Sequence, residues 1–193
     1  MQLNETLTNM FADLGIDASH TNQGLQILSA TDSKFLRDLK LNVSGVLNSK
    51  NLTKKEAALL ALSTAVNEKN HPLIAAFTNM ALKEGAAEAE VSETHACTAL
   101  MNTNNVFYRF RHYMHDVEYY NNQPAGLRAG IMMNPVLGKE FFEVMSLAVS
   151  TLNNCERCIT SHESTVKQHG TTEARIYDAV RLVSVIKSLC IVI

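Results

Sequence analysis

The sequence predicts an all-α protein that folds as a single helical domain over residues 1–193. Ala, Leu and Met are common, Trp is absent and Pro occurs only 3 times, which favours helices over sheets. Apolar residues recur mainly three or four positions apart, as on one face of a helix, and strand-like alternation is rare. With 46% hydrophobic residues, the chain can form a core of its own.

Two segments of the chain, residues 1–50 and residues 119–135, lie outside the longer helical stretches. Residues 1–50 predict one or two amphipathic helices with a polar break near "DASHTNQG", and we expect them to serve packing or oligomer contacts. Residues 119–135, "YYNNQPAGLRAGIMMNP", are rich in Asn, Pro and Gly, which predicts a connection.

Two longer parts of the chain share the same order of features, which predicts an internal repeat. In Leu52–Met101 and in Leu137–Ile186, a first helix is followed by a break that contains asparagine, a second helix that ends at glycine, and a third helix. We therefore predict a duplicated three-helix unit, with a first repeat over residues 52–118 and a second over residues 136–193. The pairing places Glu56 on Phe142, Asn67 on Asn153 and, after a one-residue shift, Gly85 on Gly170.

Local signals mark the ends of these helices. Thr53 and Glu56 have the spacing of a capping box, which begins the first repeat. The asparagines at 153–154 end the first helix of the second repeat, and Gly170 ends the next one. That first helix carries a wide apolar stripe, formed by Phe141, Phe142, Met145, Ala148, Val149 and Leu152.

Charge and hydropathy exclude several classes of function. The formal net charge is −2 and no basic stripe is present, so we expect no nucleic-acid partner. No apolar run approaches the roughly 20 residues that span a bilayer, and the start of the chain lacks the pattern of a secretory signal. We therefore expect a cytoplasmic protein without a membrane segment.

The four cysteines fall into two groups. In a reducing compartment they are not expected to form a structural disulfide framework. Cys97 and Cys190 each stand alone among apolar or small neighbours, which predicts buried thiols. Cys155 and Cys158 stand three residues apart, a spacing that redox and metal sites use.

The chemistry-bearing motif is "NNCERCITSHE", residues 153–163. Helical spacing puts Cys155, Cys158 and His162 on one face, with His162 one turn beyond Cys158. The pair also stands at the start of its helix, where free N–H groups and the positive dipole end favour a thiolate. Arg157, between the two cysteines, would add positive potential.

Three interpretations fit these residues: a redox dithiol, a metal site, or two buried thiols without a role. A metal site would use Cys155, Cys158 and His162, but a clear fourth ligand is missing. A cysteine hydrolase is disfavoured because a second cysteine has no part in acyl transfer. Glu143, twelve residues before Cys155, would extend the redox interpretation, because a carboxylate bonded to one nitrogen of His162 fixes its tautomer.

The run "EVMSLAVSTLNNCERCITSHE" resembles the signature of the alkyl hydroperoxide reductase D family, alkylhydroperoxidases of the carboxymuconolactone decarboxylase superfamily. The family pattern is Glu, then Cys-x-x-Cys twelve residues on, then His four residues later. Glu143, Cys155, Cys158 and His162 match it position for position. Further segments are similar to the family over roughly residues 30–190: "LKLNVSGVL", "MNTNNVFYRFR" and "GLRAGIMMNP".

The resemblance implies specific roles. Cys158 would be the peroxidatic cysteine that becomes a sulfenic acid, and Cys155 would resolve it to a redox disulfide and act as proton donor. Glu143 and His162 would form the proton relay. No metal or bound cofactor is implied, and the cysteine pair favours redox chemistry over the decarboxylation of the superfamily's namesake.

The resemblance also implies partners and an assembly. The protein would reduce organic hydroperoxides and pass electrons to a peroxiredoxin, the alkyl hydroperoxide reductase C component. Dihydrolipoamide on a lipoylated dehydrogenase subunit would reduce its disulfide. The family fold is an all-α homotrimer built from two helical units, of which the second carries the active site.

Two departures from the family pattern stand out. The family often has a histidine just before the second cysteine, where this chain has Arg157, which cannot shuttle a proton but stays positive. The first repeat has no dithiol. The pairing above puts Lys69, Pro72 and Ala76 opposite Cys155, Cys158 and His162, which predicts a structural role for that repeat.

Overall fold

The computed structural model describes residues 3–193, and over this range the chain is all-α, as predicted. Short 3-10 helices lie at Ala18–His20 and Gly130–Met132. The α-helices of the described residues are α1 Glu5–Leu14, α2 Gln23–Ala30, α3 Lys34–Leu47, α4 Lys54–Asn67, α5 His71–Lys83, α6 Glu88–Tyr113, α7 Glu118–Asn122, α8 Lys139–Leu152, α9 Glu156–Gln168 and α10 Glu173–Val192. None of the helices in this range is both long and apolar enough to cross a bilayer.

The N-terminal region contains three α-helices, so the prediction of one or two is wrong. The expected polar break separates α1 from α2, where Asn22 caps α2 by accepting from the Leu25 N–H. A second break follows at residues 31–33, where Asp32 adopts a left-handed backbone with φ of 45°. Three polar residues are enough to end one helix and begin the next, a break too short to interrupt the apolar pattern.

The connection predicted over residues 119–135 is mostly irregular, as its Asn, Pro and Gly content predicts. It contains the short α7 and the second 3-10 helix. Gly138, with φ of 77°, turns the chain into α8, and a non-glycine residue would be strained there. The predicted capping box of Thr53 and Glu56 is confirmed at the start of α4.

The core is built around α4 and α8. Each of these helices packs against the other and against α6 and α10, and α8 also packs against α9. Every residue of α8 from Phe141 to Ser150 is buried, so the predicted apolar stripe understates its burial. A helix surrounded on all sides has no solvent face, and its polar side chains must therefore find partners inside the protein.

The helix bounds revise the pairing of the two three-helix stretches. Lys54 to Lys139, His71 to Glu156 and Glu88 to Glu173 are all 85 residues apart, so the three helices begin at one constant offset. The left-handed residues Lys69 and Asn154 have the same offset, as do Gly85 and Gly170. No one-residue shift is needed, although the duplication itself stays a prediction.

The predicted counterparts of the site residues are wrong by one position. At the constant offset, Asn70, Leu73 and Phe77 correspond to Cys155, Cys158 and His162, in place of Lys69, Pro72 and Ala76. Leu73 and Phe77 are fully buried core side chains. The first stretch thus fills with apolar packing the positions where the second carries sulfur and imidazole.

One ion cluster joins the N-terminal ends of α4 and α8. Arg175 of α10 donates to Glu56 of α4 at 2.6 Å (Nη2–Oε1) and to Glu140 of α8 at 3.0 Å (Nε–Oε1). Its Nη1 also donates to the carbonyl of Asn51 at 2.8 Å. A planar guanidinium with several donors suits such a junction, because it can bond two carboxylates and a carbonyl at once.

Candidate active site

The two cysteines of the motif form a disulfide at the start of α9. Their Cα atoms are 5.2 Å apart, within the range that a disulfide requires. Cys155 is the N-cap of α9 and Cys158 lies in its first turn. Cys155 is fully buried and Cys158 is 6% exposed, so Cys158 is the more accessible sulfur of the pair.

A tight turn of two asparagines, Asn153 and Asn154, precedes Cys155 and sets its position. α8 ends at Leu152, and Asn154 takes a left-handed backbone with φ of 54°, which asparagine tolerates better than most residues. The Cys155 N–H then donates to the carbonyl of Ser150 at 3.1 Å. The predicted break at 153–154 is therefore confirmed, and it also sets the position of the first sulfur.

Glu143 and His162 are in direct contact. Nδ1 of His162 lies 2.6 Å from Oε2 of Glu143, a distance at which the ring N–H donates to the carboxylate. The predicted contact between the two side chains is confirmed, and the carboxylate of Glu143 lies inside the protein. It is 3% exposed in the middle of α8, because that helix is enclosed on all sides. Lys139, on the same helix, has its Nζ 3.9 Å from the other carboxylate oxygen, Oε1.

This pairing leaves the other ring nitrogen free for chemistry. When Nδ1 carries the proton and donates to the carboxylate, Nε2 of His162 holds the lone pair and can accept a proton. Since His162 is one helical turn beyond Cys158, both side chains extend from the same face of α9. The arrangement can take a proton from a nearby thiol and return it later.

Arg157 lies in the first turn of α9 with an exposed side chain. Among the described residues, its guanidinium has no acidic partner within salt-bridge distance, so its charge is not neutralised locally. The neighbouring Glu156 is also exposed, and its Oε2 is 3.4 Å from Nε2 of His112 on α6. The first turn of α9 thus carries one cationic and one acidic side chain, Arg157 and Glu156, next to the dithiol in sequence.

Comparison with known proteins places the chain in a family. It is 39% identical over 158 residues to the "Alkyl hydroperoxide reductase AhpD" of Anaeromyxobacter dehalogenans, with 80% of this chain and 82% of that protein covered. The proteins of the same name from Rhodopseudomonas palustris and Streptomyces griseus are 35% and 34% identical, and the chain covers 86% and 92% of them. The chain belongs to the AhpD family. The sequence profile of the carboxymuconolactone decarboxylase family also matches, over residues 120–188, which include α8, α9 and most of α10.

The remaining cysteines of this AhpD-family chain lie outside the dithiol. Cys97 on α6 is buried as predicted, with Sγ 3.6 Å from the Ser146 Oγ of α8. Cys190, in the last turn of α10, is only half-buried, so the prediction of a buried thiol is wrong for it. Burial raises the pKa of Cys97 to about 12, and that of Cys190 to about 12 as well. Both are therefore thiols rather than thiolates at neutral pH, and both are poor nucleophiles.

Within residues 3–193, no group of three His, Cys, Asp or Glu side chains is arranged to hold a metal ion.

The sequence did not predict that α6 contributes to the site of this family member. Asn105 and Arg109 of α6 both bond to the turn before Cys155. The sequence feature that could have indicated these two residues is their spacing, since polar side chains four positions apart lie on one face of a helix. An ordinary solvated helix face has the same pattern, so the spacing alone does not identify them.

Proposed function

We propose that this chain is an alkyl hydroperoxide reductase that works through a dithiol–disulfide cycle of Cys155 and Cys158. The observation that carries the proposal is the pairing of these cysteines at the start of α9, on the helix whose His162 contacts the buried Glu143. Family membership supports the same activity, since the relatives are named alkyl hydroperoxide reductases.

Cys158 is the proposed attacking residue because it is the more accessible sulfur and stands one turn before His162. Its thiolate attacks one oxygen of the hydroperoxide, the O–O bond breaks, and the alcohol leaves with a proton while Cys158 becomes a sulfenic acid. The Cys155 thiol then attacks that sulfur and expels water. One hydroperoxide and two thiols thus yield one alcohol, one water and one disulfide.

Glu143 and His162 are the proposed proton relay. His162 takes the thiol proton of Cys158 at Nε2 and gives it to the departing oxygen, while Glu143 stabilises the imidazolium through Nδ1. Burial of Glu143 supports this role, because an enclosed carboxylate with one close partner holds the ring in a fixed orientation. Arg157 is proposed to add electrostatic support to the thiolate without moving protons.

The proposed electron donor is dihydrolipoamide on a lipoylated dehydrogenase subunit, with no cofactor bound to the chain itself. The two thiols of dihydrolipoamide would exchange with the Cys155–Cys158 disulfide, and the regenerated dithiol would reduce either a hydroperoxide or a peroxiredoxin partner of the AhpC type. In thiol–disulfide exchange an attacking thiolate must reach one sulfur of the disulfide, and Cys158 is the more accessible of the two.

A homotrimer and a cytoplasmic location complete the proposal. Several large apolar side chains between residues 106 and 136 are exposed in the single chain, which is typical of surfaces that become covered in an assembly. A reducing compartment fits a cycle that depends on an external dithiol. Light scattering on the purified protein would give the oligomeric state.

A coupled assay tests the proposed activity. Dihydrolipoamide, a dihydrolipoamide dehydrogenase and NADH regenerate the dithiol, and NADH loss is followed after an organic hydroperoxide is added. We expect chain-dependent NADH loss, an increase when a peroxiredoxin is present, and no turnover by Cys158→Ser, whereas Cys97→Ser behaves as wild type. Turnover only with the peroxiredoxin would indicate a thiol–disulfide adaptor, and no turnover in either condition would overturn the proposal.

A further inference from the structure

We propose that Asn105 and Arg109 of α6 are positioning residues for the dithiol. They hold the Asn153–Asn154 turn in the shape that brings Cys155 within disulfide range of Cys158. The inference rests on the proposed dithiol cycle, and it assigns control of the dithiol's redox equilibrium to side chains outside α8 and α9.

Asn105 bonds the turn at two points. Its Oδ1 accepts from Nδ2 of Asn153 at 3.0 Å, and its Nδ2 donates to Oγ of Ser150 at 2.8 Å. Asn105 is 1% exposed and Ser150 is fully buried. The carbonyl of Ser150 accepts the Cys155 N–H. Asn105 therefore holds both Ser150, to which the Cys155 backbone is bonded, and Asn153 of the turn before Cys155.

Arg109, one helical turn further along α6, fixes the backbone of the same turn. Its Nη1 donates to the carbonyl of Asn153 at 2.7 Å. Asn153 is the C-cap of α8, where carbonyl groups lack helical partners and carry partial negative charge. A guanidinium at this point therefore satisfies an unpaired carbonyl two residues before Cys155.

The contacts continue along one face of α6 and across to α4. His112, seven positions after Asn105, contacts Glu156 between the two cysteines. On the other side, Asn67 of α4 donates to Oδ1 of Asn153 at 3.2 Å, and Asn102 donates to Asn67 at 2.8 Å. The amide of Asn153 is thus bonded from both sides, and its turn cannot shift without breaking several hydrogen bonds together.

A held turn changes the redox equilibrium by raising the effective concentration of one thiol near the other. The reaction is protein dithiol plus oxidised glutathione giving protein disulfide plus two molecules of reduced glutathione, with two electrons and two protons moving to glutathione. If the turn loosens, Cys155 spends less time within bonding range of Cys158 and the disulfide forms less readily. A defect that weakens folding equally in both redox states would leave this equilibrium unchanged.

The test measures that equilibrium in glutathione buffers by thiol alkylation and mass spectrometry, so it needs no peroxidase activity. We expect Asn105→Ala and Arg109→Met each to lower the equilibrium constant for disulfide formation about tenfold, which equals about 30 mV. Arg109→Lys keeps a cationic donor and should recover most of the shift. Asn104→Ala is the matched control, since Asn104 is the preceding residue on α6 and makes no side-chain hydrogen bond to the turn within the described chain.

The outcomes separate this inference from the proposed function. A wild-type chain whose Cys155 and Cys158 do not interconvert reversibly with glutathione would contradict the dithiol cycle itself. If the wild type cycles but Asn105→Ala and Arg109→Met keep its equilibrium constant, the positioning role is overturned. If circular dichroism shows that Asn105→Ala does not fold, the comparison of Arg109→Met with Arg109→Lys decides alone. An Arg109→Lys variant whose equilibrium constant for disulfide formation falls as far as that of Arg109→Met would count against the role.

Discussion

Glu143 and His162, on adjacent helices, are joined by a 2.6 Å contact between a carboxylate oxygen and a ring nitrogen, and their side chains are only 4% and 12% exposed. A carboxylate so deep in a helical core is costly unless it is bonded. His162 provides that bond, and the carboxylate in turn fixes which nitrogen of the ring is free. This relationship links the burial of α8 to the chemistry at the start of α9.

Replacing the carboxylate by an amide tests this link. We expect Glu143→Gln to lower kcat/KM for an organic hydroperoxide about 100-fold, because the amide cannot stabilise the imidazolium that forms during proton transfer. The matched control is Glu163→Gln, since Glu163 follows His162 in sequence but forms an exposed ion pair with Lys167. Stopped-flow measurement of peroxide consumption gives both values. A loss of less than threefold in Glu143→Gln would remove Glu143 from the relay.

Arg157 is the position where the chain departs from the family pattern. We expect Arg157→His to change the pH profile of peroxide reduction more than its maximal rate. A histidine with an ordinary pKa near 6.5 is positive below that pH and neutral above it, whereas arginine stays positive throughout. The rate of peroxide reduction by the variant should therefore drop below that of the wild type as the pH rises through 6–7.5. Parallel profiles for the two proteins would show that the charge at Arg157 has no influence on the reaction.

The two cysteines outside the motif should be unreactive in the folded protein. Burial raises the pKa of Cys97 to about 12, so the thiolate is scarce at pH 7.5 and rises only as the pH nears that value. We expect iodoacetamide to label Cys158, the more accessible sulfur of the motif, in the reduced chain well before Cys97 or Cys190, as followed by peptide mass spectrometry. Denatured protein, in which all four should react alike, provides the control. Early labelling of Cys97 in the native chain would contradict its buried position.

The cluster of Arg175, Glu56 and Glu140 should contribute to stability in a pH-dependent way. Burial acts to raise the pKa of Glu56, but hydrogen bonds from Arg175 and Thr53 outweigh it and leave that pKa below its ordinary value of 4.5. A lowered folded-state pKa gives stability that is present above pH 4.5 and lost as the pH falls through the lowered value.

We expect Arg175→Met to reduce the free energy of unfolding by about 2 kcal/mol at pH 7, as charge-assisted hydrogen bonds of this kind contribute. The difference from wild type should shrink as the pH falls from 4.5 through the lowered pKa of folded Glu56, where its carboxylate takes up a proton. Arg37→Met is the control, because Arg37 and Asp32 form an exposed pair that contributes little. Denaturant unfolding at pH 7 and pH 3.5 gives the free energy of unfolding of each variant relative to the wild type. If Arg175→Met lowers that free energy equally at the two pH values, the linkage to Glu56 is contradicted.

Helical spacing and capping signals predicted much of the fold. The capping box at Thr53, the break at Asn153–Asn154 and the glycine end at Gly170 depend on neighbours within one turn, and the structure confirms each of them. The number of N-terminal helices was wrong because the break at Asp32 spans only a few residues. The one-residue error in the repeat pairing arose because asparagines were matched, whereas the backbone matches Lys69 with Asn154.

The site was predictable where its residues lie on one helix or match a known pattern. Cys158 and His162 share a face of α9 by spacing alone, and the family pattern supported Glu143, which the sequence had offered as a partner of His162. The contributions of Asn105 and Arg109 were not predictable, because they depend on how α6 packs across α8 and α9. The sequence shows which side chains share a helix face, but tertiary packing decides which neighbour that face meets.

The reaction of the two single serine variants with one equivalent of an organic hydroperoxide tests the central claim most directly. If Cys158 attacks and Cys155 resolves, reduced Cys155→Ser should consume one equivalent and accumulate a sulfenic acid at Cys158 that dimedone traps. Cys158→Ser should consume almost none, and the wild type should lose two thiols per hydroperoxide. A sulfenic acid trapped at Cys155, or rapid consumption by Cys158→Ser, would contradict the account.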